Sequence, residues 1–513
     1  MGGYYRDPLA KGLRMKLEQA RVDFATLQKK IAAFKHATAL IYYDGETSAP
    51  PDTLENRTRS LMVLNDELVK LTSGAETLDL LRYLEENKFE LTVNERRAVE
   101  YMLKDYNRKK HIPEEVYVEY EKTLTEAQDA WHRACEEDNF DIAKPYLKKI
   151  FEYSRDFALG QNPDEDPYKY WLAIYEEGLE VETCDDVFSE IKNSITPLLK
   201  EVQKANINIK PVEGNFGAAE QEALSLYLLE LLGINLDRVG FSTSDHSFTT
   251  FLGSHFDERI AVRFSKKDFT SSMYSVLHGA AHVLCDTGQA DNLAFTVLDG
   301  SASMVILESQ GHFYENIIGR SRTFIEHVYP ELCALFPEYT KDNTVDDVYR
   351  FVNKAEPTLI RVDSDELTFN LHTMIRYELE KALIRDEMTV ADIPVVWNDM
   401  YKEYLGLDVP NHAEGCLQDI HWPFGAIGYF PTYIIGNAYS VGFAKKMRET
   451  IDIEDCIAKG DFSEINEWNH QRIWQHGGVY TSGEIMKKFV QTSVDSKEYI
   501  RYLTDKYTDI YKL

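Results

Sequence analysis

Two histidines four residues apart, His278 and His282, are the residues of this 513-residue chain that most directly suggest chemistry. Positions i and i+4 of a helix lie on the same face, so both imidazoles would point at one spot. Glu308 follows in a second segment with a helical pattern and would supply a third donor. Catalytic zinc typically takes three protein ligands and keeps one position open for water. The spacing therefore predicts a site for one zinc ion per chain.

The residue after the first histidine departs from the usual pattern of such sites. In a His-Glu-x-x-His helix this position carries the glutamate that acts as general base. Here it is Gly279, which has no side chain to accept a proton. The sequence thus predicts metal ligands without their usual proton acceptor. The alternative is that the two histidines are ordinary packed or surface residues, since this spacing also arises by chance.

A third histidine offers a way to restore the missing base. His312 lies four residues after Glu308 and would share its helical face. A neutral imidazole is a competent base near pH 7, so His312 is a candidate substitute base or fourth ligand. The alternative is a partly exposed histidine without a role at the metal.

The elements that must position these residues are mostly helical. Apolar residues recur at helical spacing from residue 8 to about residue 205, with a break at Pro50 and Pro51. Short strands with turns are expected over 238–264. Helix is expected again from about residue 271.

Three later segments complete the predicted layout. Residues 358–363 have an extended pattern, and a long helix is expected over about 365–386. Residues 415–431 are rich in glycine, proline and aromatic residues and predict a loop. No repeat or flexible linker separates these parts. We therefore expect a single domain over 1–513, with a helical N-terminal part to about residue 235 and the metal-site part from about residue 236.

Composition and charge narrow the class of partner. The net charge is −30, so phosphate would be repelled, and neither nucleic acid nor an anionic membrane is expected as a partner. No run of about 18 apolar residues predicts a membrane span, and the N-terminus has no apolar secretory core. The six cysteines are scattered without a Cys-x-x-Cys pair, which is typical of free thiols in a reducing compartment. We expect a cytoplasmic protein.

Several segments carry recognisable motifs in a fixed order. They are Asp245-His246-Ser247-Phe248, Asp257-Glu258-Arg259-Ile260-Ala261, Glu308-Ser309-Gln310, Glu315 to Ser321, Ile360-Arg361-Val362-Asp363-Ser364-Asp365, Gly415 to Trp422 and Gly428 to Tyr433. Together they resemble the carboxypeptidase Taq family of zinc metallocarboxypeptidases. The segment from Gly415 matches Gly-x-x-Gln-Asp-x-His-Trp completely. Leu307 and Ala261 depart from the family pattern, which has histidine and threonine there.

The resemblance implies a fold and an activity. The expected fold is mainly α, a large helical metallopeptidase body with a deep groove and a small β-sheet. The family's activity is the release of C-terminal amino acids from peptides by a catalytic zinc, in a homodimer. Peptide C-termini are therefore the expected partners. Carried over to this chain, the ligands are again His278, His282 and Glu308.

The resemblance also places Arg361 at the substrate end of the groove. A guanidinium fork suits the terminal carboxylate of a peptide. The alternative for this arginine is a structural salt bridge with Asp363 or Asp365.

Four further residues are expected to bind substrate. His421 and Tyr429 or Tyr433 would donate hydrogen bonds to the oxyanion formed at the scissile carbonyl. Gln418 belongs to the same motif as His421 and is placed with them. For the tyrosines, the alternative is aromatic packing with a tethered hydroxyl.

Three functions remain in competition at this point. Gly279, Leu307 and Ala261 together favour a homologue that binds zinc and perhaps peptide C-termini but hydrolyses weakly or not at all, a pseudoenzyme. An active carboxypeptidase with a substitute base such as His312 is the first alternative. A metal-free scaffold or peptide-binding protein is the second.

Overall fold

The computed structural model describes residues 8–205 and 207–513 of the chain. Several helices of the first part begin directly after a capping residue or with a proline. The break predicted at the two prolines lies between α1 and α2. The helices before the sheet are α1 (Pro8–Thr47), α2 (Leu54–Ser73), α3 (Ala75–Glu86), α4 (Val93–Lys109), α5 (Glu114–Glu136), α6 (Phe140–Gln161), α7 (Pro167–Tyr175), α8 (Val181–Lys204) and α9 (Ala218–Leu231).

A small sheet follows in the region where strands were predicted. It contains β1 (Val239–Thr243), β2 (Phe248–Phe251) and β3 (Glu258–Val262) in the order β1-β3-β2. β1 pairs with β3 in parallel, and β2 pairs with β3 antiparallel, with Thr249 opposite Ile260. β3 is buried along most of its length and packs against the next helix. The sheet therefore forms a wall beside that helix.

The remaining helices form the larger part of the body. They are α10 (Phe269–Thr287), α11 (Met304–His312), α12 (Arg322–Leu335), α13 (Pro337–Thr340), α14 (Val345–Val352), α15 (Phe369–Ile384), α16 (Ile393–Leu405), α17 (Pro431–Met447), α18 (Ile453–Lys459), α19 (Ser463–Arg472), α20 (Ser482–Ile485) and α21 (Ser496–Tyr511). Short 3₁₀ turns and two π-helical segments, Phe313–Ile318 and Met486–Val490, join some of them. The expectation of a mainly α fold with a small sheet is confirmed.

One predicted element differs from the structure. The segment expected to be extended over 358–363 forms no strand, and a 3₁₀ turn, Arg361–Asp363, follows the extended residue Ile360. Asp365 then accepts hydrogen bonds from the backbone N–H groups of Leu367 and Thr368 at 2.9 and 3.0 Å, and α15 begins at Phe369. The alternation of side chains was too short to distinguish a strand from this capped turn.

Apolar side chains gather in two clusters. The main core draws on α5 to α21 and on β1 and β3. A smaller cluster packs α1, α3 and α4 against Leu293, Leu298 and Val479. No helix in the described ranges has the length and apolar character to cross a membrane.

Candidate metal site

Two packed helices bring the three predicted ligands together. His278 and His282 lie on α10. Asp268 caps this helix, since its side chain accepts from the N–H of Thr270 at 2.8 Å. Glu308 lies on α11, which packs against α10. One donor atom from each of His278, His282 and Glu308 can be chosen so that all three lie within 4.8 Å of one another. Among the described residues, this is the one group of three or more such side chains with that spacing.

The donor set fits a divalent cation. The Nε2 atom of His282 is buried and has no hydrogen-bond partner among the described residues. Burial, together with the nearby His278, lowers the pKa of His282 well below its usual value, which keeps the imidazole neutral. In the neutral form, the unpartnered Nε2 of His282 has a lone pair that can bind a metal ion.

Glu308 is held in place from the opposite side. The hydroxyl of Tyr429 donates to its Oε1 at 2.8 Å, while its Oε2 lies 3.7 Å from Nε2 of His278. Burial raises the pKa of Glu308, and the charge on His278 and the Tyr429 hydroxyl oppose that rise. Tyr429 thus orients a predicted ligand. This contact ties up the hydroxyl that was expected to serve the oxyanion.

A deep cavity of about 820 Å³ opens beside the cluster. Its lining includes residues of α10, α11, β2, β3, α17 and the turn before α15. Residues that line it include His278, Gly279, His282, Glu308, His312, Arg361 and Tyr433. A cavity of this size accommodates the end of a peptide.

Gly279 lines this cavity and lies directly against the sheet. A Cβ atom added there would lie 3.0 Å from the methyl carbon of Thr249 and 3.7 Å from Cγ2 of Ile260. The first distance is tighter than ordinary van der Waals contact. A glutamate at this position would require the β2 side chain to move.

His312 lines the cavity, and its Nδ1 is engaged in a hydrogen bond. The hydroxyl of Ser440 donates to the carbonyl of Asn437 at 2.6 Å and therefore accepts from Nδ1 of His312 at 2.7 Å. Nε2 of His312 faces Oε1 of Glu366 at 3.2 Å. Neither of these two atoms makes a hydrogen bond among the described residues. His312 is buried, which corrects the expectation of partial exposure.

Arg361 is buried in a salt bridge, with a partner that was not foreseen. Its Nε and Nη2 donate to Oδ1 of Asp419 at 2.9 and 2.8 Å. Arg376 donates to the other oxygen of Asp419 at 2.7 Å. Asp363 and Asp365, the expected partners, do not bond it. Nη1 of Arg361 makes no hydrogen bond within the described chain, and the residue lines the cavity.

Gln418 and His421 do not line the cavity, contrary to the expectation that they contact substrate. The Gln418 amide donates to the carbonyl of Leu359 and accepts from the N–H of Arg361, at 3.0 and 2.8 Å. His421 packs against Phe430 with ring centroids 4.4 Å apart. Burial and the nearby Arg361 lower the pKa of His421 to about 3. Gln418 and His421 therefore support the loop and Arg361 from outside the cavity lining.

Sequence reasoning missed Glu315 and Arg320. Oε2 of Glu315 lies 3.0 Å from Nδ1 of His278, and Arg320 donates to Oε1 of Glu315 at 3.0 Å. The available signal was the position of Glu315 seven residues after Glu308, which is close to two helical turns. A ligand cluster of this kind in a helical body points to the metallopeptidases.

Comparison with known proteins specifies the family. The model of the carboxypeptidase Taq (M32) metallopeptidases matches residues 23–507, and the chain belongs to that family. Carboxypeptidase 1 of Bacillus subtilis is 34% identical over 504 residues, covering 97% of this chain and 100% of that protein. Thermostable carboxypeptidase 1 of Pyrococcus furiosus is 32% identical over 487 residues, covering 93% and 96%.

Solved structures agree with this assignment. The M32 carboxypeptidase from Deinococcus radiodurans R1 superposes with a TM-score of 0.93 at 30% identity, covering 96% of this chain and 100% of that one. Trypanosoma cruzi metallocarboxypeptidase 1 superposes with a TM-score of 0.90 at 27% identity, covering 95% and 99%. The predicted family is therefore confirmed.

Proposed function

We propose that this protein holds zinc in the carboxypeptidase site of its family and hydrolyses peptides weakly or not at all. His278, His282 and Glu308 would be the ligands. The observation that carries the metal site is the bare, buried Nε2 of His282 beside two further donors. The observation that carries the impaired hydrolysis is Gly279, whose position faces the methyl group of Thr249 instead of carrying a base.

A bound zinc ion would supply Lewis acidity and acidify a water molecule. What the chain lacks is the group that takes the proton and passes it to the leaving amine. Such assistance typically contributes about 10²–10⁴-fold. Hydrolysis without it is expected to be slower by that order.

Three other acidic side chains that line the cavity are already engaged. Glu315 bonds His278 and Arg320, and Glu366 accepts from Lys506 at 2.6 Å. Asp365 accepts from the turn that begins α15. These contacts, together with the hydrogen bond between Nδ1 of His312 and Ser440, favour the impaired enzyme over one with a substitute base.

Peptide C-termini are the proposed ligands of the cavity. Nη1 of Arg361 is free to meet a terminal carboxylate, while Nε and Nη2 hold the guanidinium against Asp419. Tyr433 lines the same cavity and presents a hydroxyl near Tyr429. We also propose a homodimer in the cytoplasm, by analogy with the family and from the six unpaired cysteines.

Metal analysis and a peptidase assay together test this function. Protein purified without added zinc should contain near one equivalent, and His282→Ala should lose it. Zinc-loaded protein should release C-terminal amino acids from a peptide mixture at a rate far below that of a family member with an intact base. Absence of metal from the wild-type protein would overturn the metal site, and rapid release would overturn the impaired hydrolysis.

A further inference from the structure

We propose that Glu315 is the positioning residue of the metal centre, holding the His278 ring so that Nε2 faces the ion. This inference rests on the proposed zinc site. It assigns a role to a carboxylate seven residues beyond the ligand Glu308, outside the three donors themselves.

The two nitrogens of His278 have different neighbours. Nδ1 lies 3.0 Å from Oε2 of Glu315, within hydrogen-bond distance. Nε2 lies 3.7 Å from Oε2 of Glu308, beyond hydrogen-bond distance but on the side of the donor cluster. A proton on Nδ1 would thus be donated in a hydrogen bond to Glu315, and Nε2 would be left to the ion.

Glu315 is itself fixed by a chain of contacts. Arg320 donates to Oε1 of Glu315 at 3.0 Å and also to the carbonyl of Val352. The guanidinium lies 3.9 Å from the ring centroid of Tyr274. These contacts hold the Glu315 carboxylate beside Nδ1 of the His278 ring.

The backbone of α11 makes room for this arrangement. Gly311 lies between Glu308 and Glu315, and a Cβ atom there would overlap the His278 ring. The helix then continues as the π-helical segment Phe313–Ile318, which carries Glu315. Such segments change the direction of following side chains and are frequent at functional sites. The His278 ring lies over Gly311, with the Glu315 carboxylate beside Nδ1 and the Glu308 carboxylate on the side of Nε2.

A carboxylate behind a ligating histidine fixes its tautomer and raises its basicity. Removing such a partner typically lowers metal affinity by about 10–100-fold. We expect this loss for Glu315→Met, which keeps similar bulk and removes the acceptor. Glu315→Gln keeps a carbonyl acceptor without the charge, so its loss should be smaller.

The experiment measures two properties of purified full-length variants. Competition with a chelator gives the zinc affinity. Nitrogen-15 NMR of metal-free, histidine-labelled protein gives the Nδ1 resonance of His278, assigned with His278→Asn. Glu258→Gln is the control, since Glu258 on β3 is buried more deeply than Glu315 and its Oε1 has no hydrogen-bond partner within the described chain.

The proposal expects a graded result. Zinc affinity should fall from wild type to Glu315→Gln to Glu315→Met, the Nδ1 resonance should move, and the control should change neither. Unchanged zinc affinity in both Glu315 variants overturns the proposal. If the wild-type protein binds no zinc, the proposed metal site fails, and the Nδ1 resonance alone decides whether Glu315 holds the ring. Should Glu315→Met not fold, Glu315→Gln carries the same comparison.

Discussion

The contact between position 279 and Thr249 determines whether a general base can be placed at this site. We predict that Gly279→Glu combined with Thr249→Ser raises peptide hydrolysis by about 10²–10⁴-fold, the usual contribution of a general base. Thr249→Ser removes the methyl carbon that an added Cβ would meet at 3.0 Å and keeps the hydroxyl. The rate of C-terminal amino acid release by zinc-loaded protein is the measurement.

The single variants serve as controls for this pair. Thr249→Ser alone should leave hydrolysis at its low level, and Gly279→Glu alone should gain less than the double variant. A double variant that binds zinc but gains no activity would show that the missing base is not the cause. Ala261, which also lines the cavity, and Leu307 would then become the residues to restore.

Spacing along the chain predicted the contacts that are local and failed for those that are not. The pairing of His278 with His282 follows from the helical period. Tyr429, which bonds Glu308, lies 121 residues away from it. The partner of Arg361 was sought two and four residues along the chain, but Asp419 lies 58 residues away. Only tertiary packing brings such pairs together.

A buried carboxylate on α15 holds part of the loop before α17. Glu380 accepts from the Tyr168 hydroxyl at 2.8 Å, from Nε1 of Trp422 at 2.8 Å and from the N–H of Gly428 at 3.0 Å. We predict that Glu380→Gln destabilises the loop, since an amide NH₂ would face donors. Unsatisfied buried donors cost about 1–3 kcal/mol each.

Hydrogen exchange across 421–430 is the measurement for this element. Exchange should become faster in Glu380→Gln, because the loop opens more often. The control is Glu378→Gln on the same helix, whose side chain is 40% exposed. Equal exchange in both variants would show that other contacts hold the loop.

Helices with strong periodicity were predicted nearly to their ends. α10 was expected from about residue 271 and begins at Phe269, after its cap. The loop over 415–431 was also foreseen, with Pro431 opening α17. The 3₁₀ turn at Arg361–Asp363 and the π-helical segment after α11 were not, because both depend on packing against neighbouring elements.

Stability of the whole molecule should depend on pH through Glu176. This side chain is buried, and its Oε2 has no partner in the described part of the chain. Burial raises its pKa from 4.5 to about 8, against a hydrogen bond to Ser303. Because the pKa of this carboxyl is higher in the folded state, the folded protein holds the proton more tightly than the unfolded chain. The resulting stabilisation is complete at a pH below the pKa of the unfolded state, and it is lost as the pH rises toward the pKa of the folded state.

We therefore predict that Glu176→Gln gains stability relative to wild type as pH increases. The difference in free energy of unfolding should grow by about 1.4 kcal/mol per pH unit between about pH 5 and about pH 8. Urea unfolding of metal-free protein at several pH values measures it. Glu177→Gln, at a neighbouring side chain that is 55% exposed, should show no such slope. A flat difference for Glu176→Gln would contradict the buried-acid account.

The contacts between α1 and the sheet have a consequence for the mouth of the cavity. The hydroxyl of Tyr43 on α1 donates to Oγ of Ser242 at 2.8 Å, and Nδ1 of His36 lies 2.9 Å from the carbonyl of Leu252. α1 thus grips the sheet whose edge strand, β2, walls the cavity. Movement of α1 away from the sheet would also widen the mouth of the cavity. The local stability of α1 would then determine how often the end of a peptide could enter.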